Sequence, residues 1–171
     1  MKVAFIGQHS FGDKVDTGLL EKKVEKTVEK LITENGAEEF IFGSMIGFDY
    51  ICYLVVTQLQ KKYPNIKRVY RSQFSLPNRK TQKQFSEHFD KCEFPLITSK
   101  KLSHIKRNET MIDKCDLLIT YYDKDYKSKG MFYEEVSITQ KDNDTSSPMS
   151  ETKIALNYAF RKDKKFVNLF E

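Results

Sequence analysis

The segment GSMIGFD, residues 43–49, places two glycines between a hydrophobic run and a stretch of helical character. A residue without Cβ lets backbone N–H groups approach an anion closely, and a helix start adds about half a positive charge. Gly43 and Gly47 can therefore belong to a phosphate-binding loop. Their GxxxG spacing is neither GxGxxG nor a Walker A sequence, so the alternative is a strand end followed by a tight turn. Asp49 suits both interpretations, since it favours the helix dipole or accepts a ribose hydroxyl.

Four segments that follow predicted strands carry small or polar residues: 7–10, 43–49, 120–122 and 147–152. A parallel sheet binds ligands at the carboxyl ends of its strands, so we expect these segments to converge at one edge. His9, in the first segment, titrates near neutral pH, which suits ligand contact or acid–base work as well as an ordinary loop position. Ser44 and Tyr121 belong to the second and third segments.

Charged and amide side chains predicted near the same edge supply candidate chemistry. Arg107 and Asn108 lie where a helix is predicted to begin, and an arginine there can bind a phosphate or carboxylate or simply lie on the surface. Glu151 is the catalytic candidate, because cleavage of an N-glycosidic bond needs a carboxylate to stabilise an oxocarbenium-like centre or direct water. Glu134 and Glu135 are weaker candidates for that role.

The elements that must position these residues alternate along the chain. Apolar runs at 3–7 and 115–122 predict buried strands, and the segments 38–44, 66–72 and KFVNLF at the end predict three further strands. Helical spacing appears between them, in three apolar sets: Leu20, Val24, Val28 and Leu31, ending at Asn35-Gly36; Ile51, Leu54, Val55 and Leu59; and Ile105, Met111 and Ile112. A last helix carries Ile154, Ala155, Tyr158 and Ala159. The region from Phe74 to Ser103 indicates a short helix and a loop rather than a core strand.

This alternation predicts an α/β fold: a single Rossmann-like three-layer domain over residues 1–171, with a mostly parallel sheet flanked by helices. The connection over 123–149 is long for a compact domain and is interpreted as an insertion with a mobile tip.

Composition narrows the class of protein. The 171 residues are 39% hydrophobic and 31% charged, which fits one soluble domain, and no apolar run reaches the roughly 18 residues of a membrane span. Without a signal-peptide pattern, a cytoplasmic location is expected. The three cysteines show no metal-binding or disulfide spacing, so no metal and no cofactor are expected. The net charge of +5 is spread among acidic residues, so nucleic acid is not the expected partner.

Several blocks together resemble a known family: VAFIGQHS, GAEEFIFGSMIGFD, YPNIKRVY, RNETMIDKCDLLITYY and TKIALNYAFRKDKKFVNLF. The sequence is similar to the SLOG superfamily, the Rossmann-like group that contains DprA/Smf and the LOG phosphoribohydrolases, and within it to the YpsA-like branch. The resemblance spans nearly the whole chain and implies glycine loops that bind a nucleotide or a nucleotide-derived ligand.

By position, the resemblance assigns ligand contacts to these residues: Gly7, Gln8, His9, Gly43, Ser44, Gly47, Asp49, Arg107, Asn108, Ser150 and Thr152. The chain departs from its relatives in two loops. Gln8 and Ser10 replace parts of a Gly-His-Arg type sequence, and SSPMSET stands where many relatives have Ser-Gly-Gly-Thr. The PGGxGTxxE pattern of the LOG hydrolases is absent from the sequence.

The leading hypothesis is therefore a protein that binds or senses a nucleotide or nucleotide-derived ligand at the strand ends. The alternative is a nucleoside monophosphate phosphoribohydrolase that uses Glu151. A third hypothesis is single-stranded nucleic-acid binding through a strip in which Arg68 and Tyr70 share one strand face and Arg71 lies on the other. By analogy with similar proteins, a homodimer is expected.

Overall fold

The computed structural model describes residues 1–12, 15–73, 79–95, 103–125 and 150–170. Within these residues, six strands form one sheet in the order β4-β3-β2-β1-β5-β6, and every neighbouring pair is parallel. The strands are β1 (Lys2–Gly7), β2 (Glu39–Phe42), β3 (Lys67–Arg71), β4 (Lys91–Glu93), β5 (Leu117–Tyr121) and β6 (Phe166–Asn168). The helices are α1 (Thr17–Asn35), α2 (Gly47–Lys62), α3 (Arg79–His88), α4 (Ser103–Lys114) and α5 (Glu151–Arg161).

The sheet is covered by helices on both faces, as the alternating elements predict. Val3 and Phe5 of β1 enter a core with the buried faces of α1 and α2, whereas Ala4 and Ile6 enter a second core with α4 and α5. Strands buried on both faces are nearly continuous apolar runs, which explains the sequences of the central strands β1, β2 and β5. The Rossmann-like three-layer α/β arrangement is confirmed.

The strand order predicts where an open α/β sheet of this kind binds its ligand. The chain runs outward from β1 through β2 and β3 to β4, then returns to the other side of β1 with β5 and β6. The order therefore changes direction between β1 and β5, and open α/β sheets bind ligands beside the carboxyl ends of the strands at that point.

Helix α1 begins after a capping aspartate, two residues before the predicted pattern starts, and ends where the sequence predicts. Asp16 caps its start, because its Oδ1 accepts hydrogen bonds from the N–H groups of Gly18 (2.9 Å) and Leu19 (3.0 Å). Gly36 follows its last residue with a φ of 65°, the left-handed conformation that glycine adopts without strain. The predicted Asn35-Gly36 end is confirmed.

The buried face of α2 differs from the prediction. Leu54 is 43% exposed, whereas Phe48, Cys52, Val56 and Leu59 are buried. These positions repeat at three- and four-residue intervals and face the sheet and α1, and Leu54 lies on a different side of the helix. Of the predicted set, Val55 and Leu59 are buried and Ile51 is half-buried, so Leu54 is the one member that periodicity assigned to the wrong side.

The region from Phe74 to Ser103 contains a strand that the sequence did not reveal. β4 pairs in parallel with β3 at the sheet edge, after the predicted short helix, which is α3. The strand has only three residues, Lys-Cys-Glu, so it shows neither an apolar run nor an informative alternation. The predicted insertion at 123–149, with Glu134 and Glu135, lies almost wholly outside the described residues.

Among the described residues, no helix is long and apolar enough to cross a membrane.

Candidate functional site

The carboxyl edge of the sheet gathers most of the predicted site residues. The loop after β1 supplies His9, the end of β2 supplies Gly43, and α5 supplies Glu151 as its first residue. Arg107 is the fifth residue of α4, because that helix begins at Ser103, four residues before the predicted start. These four residues are far apart in sequence, and parallel strands with their helices on both faces bring them to the same edge.

Arg107 connects three of these segments. Its Nη1 donates to the carbonyl oxygen of Gly43 (2.8 Å) and to Oε1 of Gln73 (3.3 Å), while Nη2 donates to Oε1 of Glu151 (2.9 Å). Its Nε donates to Oδ1 of Asn108 (3.1 Å). The side chain of Arg107 is only 7% exposed, so this is a buried guanidinium with its donors directed to defined partners.

Glu151 has one engaged oxygen and one that faces His9. Its Oε1 accepts hydrogen bonds from Arg107 and from Nδ2 of Asn108 (2.9 Å). Its Oε2 lies 3.9 Å from Nε2 of His9. Glu151 is also the first residue of α5, where the helix dipole favours a negative charge. The carboxylate is thus held in place through one oxygen while the other points toward the first loop.

His9 is neutral in this environment at neutral pH. Burial lowers the pKa of its imidazole, Glu151 acts in the opposite direction, and the positive charge of Arg107 adds to the lowering. The pair of His9 and Glu151 is therefore a neutral ring beside a carboxylate rather than an ion pair.

Asp49 lies beneath the two glycine loops and joins them. It is 4% exposed, and its Oδ1 and Oδ2 accept hydrogen bonds from the N–H groups of Gly7 (3.2 Å) and Ser44 (3.1 Å). Burial raises the pKa of Asp49 to about 7, although Arg107 and the two N–H groups act to lower it. Both carboxylate oxygens are already used to hold protein backbone.

The space beside each loop glycine is filled by the protein itself. A Cβ on Gly7 would lie 2.4 Å from the ring of Phe48, and one on Gly43 would lie 2.6 Å from Sδ of Met111. Gly47 has a φ of 58°, and its Cβ would lie 2.4 Å from the carbonyl oxygen of Gln8. In addition, the N–H of Phe48 donates to that carbonyl (3.0 Å). The glycines allow close packing of the first loop on the second.

Gln8 and Tyr121 lie on the side of the edge that faces α1. Gln8 donates its backbone N–H to the carbonyl of Tyr121 (3.1 Å), and its side-chain amide exchanges hydrogen bonds with the backbone of Asp123 (3.0 and 3.2 Å). The ring of Tyr121 packs on Phe48 and Phe11. These two predicted residues therefore line a different part of the edge from Arg107 and Glu151.

Ser150 and Thr152 flank the start of α5. The hydroxyl of Ser150 caps the helix by accepting from the N–H of Lys153 (3.2 Å), and Thr152 is buried. On the neighbouring strand end, the buried hydroxyl of Thr120 has no hydrogen-bond partner within the described part of the chain, an uncommon state for a buried polar group.

The strip predicted for nucleic acid is paired with acidic residues. Arg68 contacts Asp90 (3.2 Å) and Arg71 contacts Glu93 (3.1 Å), while Tyr70 stacks on Phe85 at a centroid distance of 4.4 Å. The two arginines therefore carry compensated charges, and the tyrosine ring is occupied by protein.

Gln73 is a site residue that the sequence analysis missed. It follows β3 by two residues and accepts a hydrogen bond from Arg107. Its position just after a strand end is the signal that identifies it, because parallel sheets bind ligands at the carboxyl ends of their strands. Among the described residues, no group of three or more His, Cys, Asp or Glu side chains is placed to hold a metal ion.

Comparisons with known proteins agree with this architecture. The family model YpsA, described as "YspA SLOG family", matches residues 11–156. The chain is also similar to a solved structure of DNA processing protein A from Helicobacter pylori, described by its single-stranded DNA binding mode. The TM-score is 0.52 at 17% identity, over 97% of this chain and 63% of that one, so the likeness shows the fold. No curated protein matches the chain.

Proposed function

Since the chain belongs to the YpsA family of SLOG proteins, we propose that it binds a nucleotide or a nucleotide-derived ligand at the carboxyl edge of its sheet. The observation that carries this proposal is the cluster of Arg107, Asn108, Glu151 and His9 at the strand ends. Burying an ion pair contributes little net stability, because desolvation of both charges offsets their attraction. Such a cluster at the ligand edge of an α/β sheet is better explained by a binding role.

The arrangement suits a ligand with hydroxyl or N–H donors near Glu151. Oε2 of this carboxylate is directed toward a neutral His9, and Arg107 and Asn108 hold the group through the other oxygen. A ribose hydroxyl could donate to Oε2 and accept from the imidazole N–H. This chemistry supports a nucleotide or a related glycosylated ligand.

Calorimetric titration of the full chain with AMP, NAD and cyclic nucleotides tests the proposal. We expect at least one of them to bind, and the variant E151Q to weaken it by about ten-fold or more, since hydrogen bonds to a charged group contribute about 1.5–3 kcal/mol. E109Q is the matched control, because Glu109 is a carboxylate of α4 in a partly exposed pair with Lys106. Equal binding by E151Q and E109Q, or no binding by the wild type, would overturn the proposal.

A second candidate is hydrolysis of a nucleoside monophosphate at its N-glycosidic bond. The observation that favours it is the oriented carboxylate of Glu151, which could stabilise an oxocarbenium-like centre or direct water. Incubation with AMP, followed by chromatography of released base, tests for this reaction. Release that is unchanged in E151Q would exclude Glu151 from the chemistry.

Single-stranded nucleic acid is a different class of partner, described for DNA processing protein A. The described arginines of β3 support it less well here, because Asp90 and Glu93 compensate their charges. If the chain bound a single-stranded oligonucleotide and its affinity fell steeply with salt concentration, nucleic-acid binding would be favoured over a small-molecule ligand.

A further inference from the structure

A cleft of about 730 Å³ opens at the carboxyl edge on the α1 side of the sheet. Its lining includes Leu19 and Lys23 of α1, Tyr121 and Asp123 at the end of β5, and Phe170 after β6. Arg107 and Glu151 are not among its lining residues. The volume lies within the range of about 300–1,000 Å³ that is typical of small-molecule sites.

Apolar and aromatic side chains dominate the walls of the cleft. Leu19 is 63% exposed and Phe170 is 42% exposed, although both are large apolar residues. The ring of Tyr121 meets Phe170 edge-on at a centroid distance of 5.6 Å, and it stacks at 5.9 Å on Phe48 behind it. A flat aromatic molecule would find both a rigid ring edge and an exposed ring face here.

The polar groups of the cleft favour an uncharged molecule with N–H donors. Asp16 and Asp123 line it, and each uses Oδ1 for nearby backbone N–H groups. The Oδ2 atoms of these two carboxylates have no hydrogen bond from any described residue and can accept one from a ligand. Lys23, which also lines the cleft, donates a hydrogen bond to the carbonyl oxygen of Leu169 (2.9 Å). Two carboxylates beside one engaged ammonium disfavour a phosphate in the cleft.

The cleft is joined to the proposed site through the first loop. Gln8 exchanges two hydrogen bonds with the backbone of Asp123, which lines the cleft, and the next residue, His9, faces Glu151. The first loop therefore contacts both a residue that lines the cleft and the carboxylate of Glu151.

We propose that this cleft takes the heterocyclic base of the ligand, and that it prefers an amino-substituted purine. The inference rests on the proposed function, because it assigns the base to the cleft and the sugar to the Glu151 side. Phe170 is the stacking residue, and the carboxylates of Asp16 and Asp123 accept from the exocyclic amino group.

The test compares two phenylalanines of equal exposure in the full-length chain. Phe170 lines the cleft, whereas Phe166 of β6 is 43% exposed and does not. Saturation-transfer NMR and titration with adenosine, inosine and AMP should show that F170A weakens adenosine and AMP by about five-fold or more, as expected for loss of base stacking. F166A should bind like the wild type, and adenosine should bind more tightly than inosine, which lacks the amino group.

The outcomes separate this inference from the proposed function. AMP binding that depends on Glu151 but is equal in F170A and F166A would overturn the base site and leave the proposed function intact. Adenosine binding that depends on Phe170 but not on Glu151 would support the base site and overturn the proposed function at Glu151. Absence of binding to adenosine, inosine and AMP by the wild type would overturn the base site outright.

Discussion

Gly47 combines two requirements that only glycine meets together. Its φ of 58° is left-handed, and a Cβ there would lie 2.4–2.5 Å from backbone atoms of Gln8 and His9. Gly36 has a similar φ of 65°, but a Cβ there would meet no atom of the described residues within 4 Å. The two positions therefore separate the cost of the backbone conformation from the cost of the contact.

We predict that G36A loses about 1–2 kcal/mol of unfolding free energy, the cost of a left-handed non-glycine residue. G47A should lose about 1–3 kcal/mol more than G36A, because backbone atoms of the first loop must move to make room for the new methyl group. Urea denaturation of both variants beside the wild type measures the difference. Equal losses of unfolding free energy would show that the first loop accommodates the methyl group without a cost in stability.

The raised pKa of Asp49 predicts that this residue makes the folded protein less stable as pH rises toward 7. Its pKa rises from 3.8 to about 7 on folding, so between these values the native state binds more protons than the unfolded state. Stability contributed by the protonated acid is therefore complete below about pH 4 and is lost as pH rises to about 7, with a slope of at most about 1.4 kcal/mol per unit. Above pH 7 the effect is constant.

The variant D49N isolates this contribution from those of other titrating groups. The unfolding free energy of the wild type minus that of D49N should fall as pH rises from about 4 to 7 and then level off. Urea denaturation across this range measures it. A difference that is flat or rises with pH would show that Asp49 is ionised in the folded protein throughout.

At the scale of the elements, Glu93 fastens the edge strand that the sequence failed to show. Its carboxylate contacts Arg71 of β3 (3.1 Å), Lys91 of β4 (3.0 Å) and Lys114 of α4 (2.6 Å). Burial alone would raise the pKa of Glu93, but the hydrogen bonds from Lys114 and Lys91 lower it to about 2. Charge pairing thus joins β4 to the rest of the sheet where apolar burial is small.

We predict that E93Q loses about 1 kcal/mol of stability at pH 7, a modest figure because the lysines are half exposed and screened by solvent. A depressed pKa contributes stability above the unfolded value of 4.5 that is lost as pH falls toward about 2, so the loss in E93Q should shrink over that range. E34Q, which removes an exposed pair with Lys30, should change stability little. Similar behaviour of the two variants would contradict the prediction.

At the scale of the whole molecule, the pair of Arg107 and Glu151 couples the two helices on one face of the sheet to the end of β2. The residues lie 44 positions apart in sequence, and the same guanidinium also holds the carbonyl of Gly43. Removing one member leaves the other buried without its partner, which costs about 3–5 kcal/mol, more than the pair itself contributes.

A double-mutant cycle should therefore be strongly non-additive. R107M and E151M should each destabilise the protein by about 3 kcal/mol, and the double variant should lose less than the two losses added together, by at least about 1 kcal/mol. Urea unfolding of the four proteins measures the coupling. Additive losses would mean that solvent already screens the two charges from each other.

The local sequence pattern was enough to predict most of the helices and strands of this protein. Its sequence blocks were enough to predict the family. Apolar runs and other strand-like segments identified β1, β2, β3 and β5, helical periodicity and Asn35-Gly36 delimited α1, and the alternation of the two predicted the parallel sheet, because these signals depend on neighbours in sequence. The resemblance to the YpsA-like branch of the SLOG superfamily is confirmed by the family match. Tertiary structure alone decided that β4 joins the edge, that Leu54 is exposed, that Asp49 joins two loops and that Arg107 meets Glu151. Each of these depends on side chains brought together by strand order from distant segments, and periodicity carries no information about such partners.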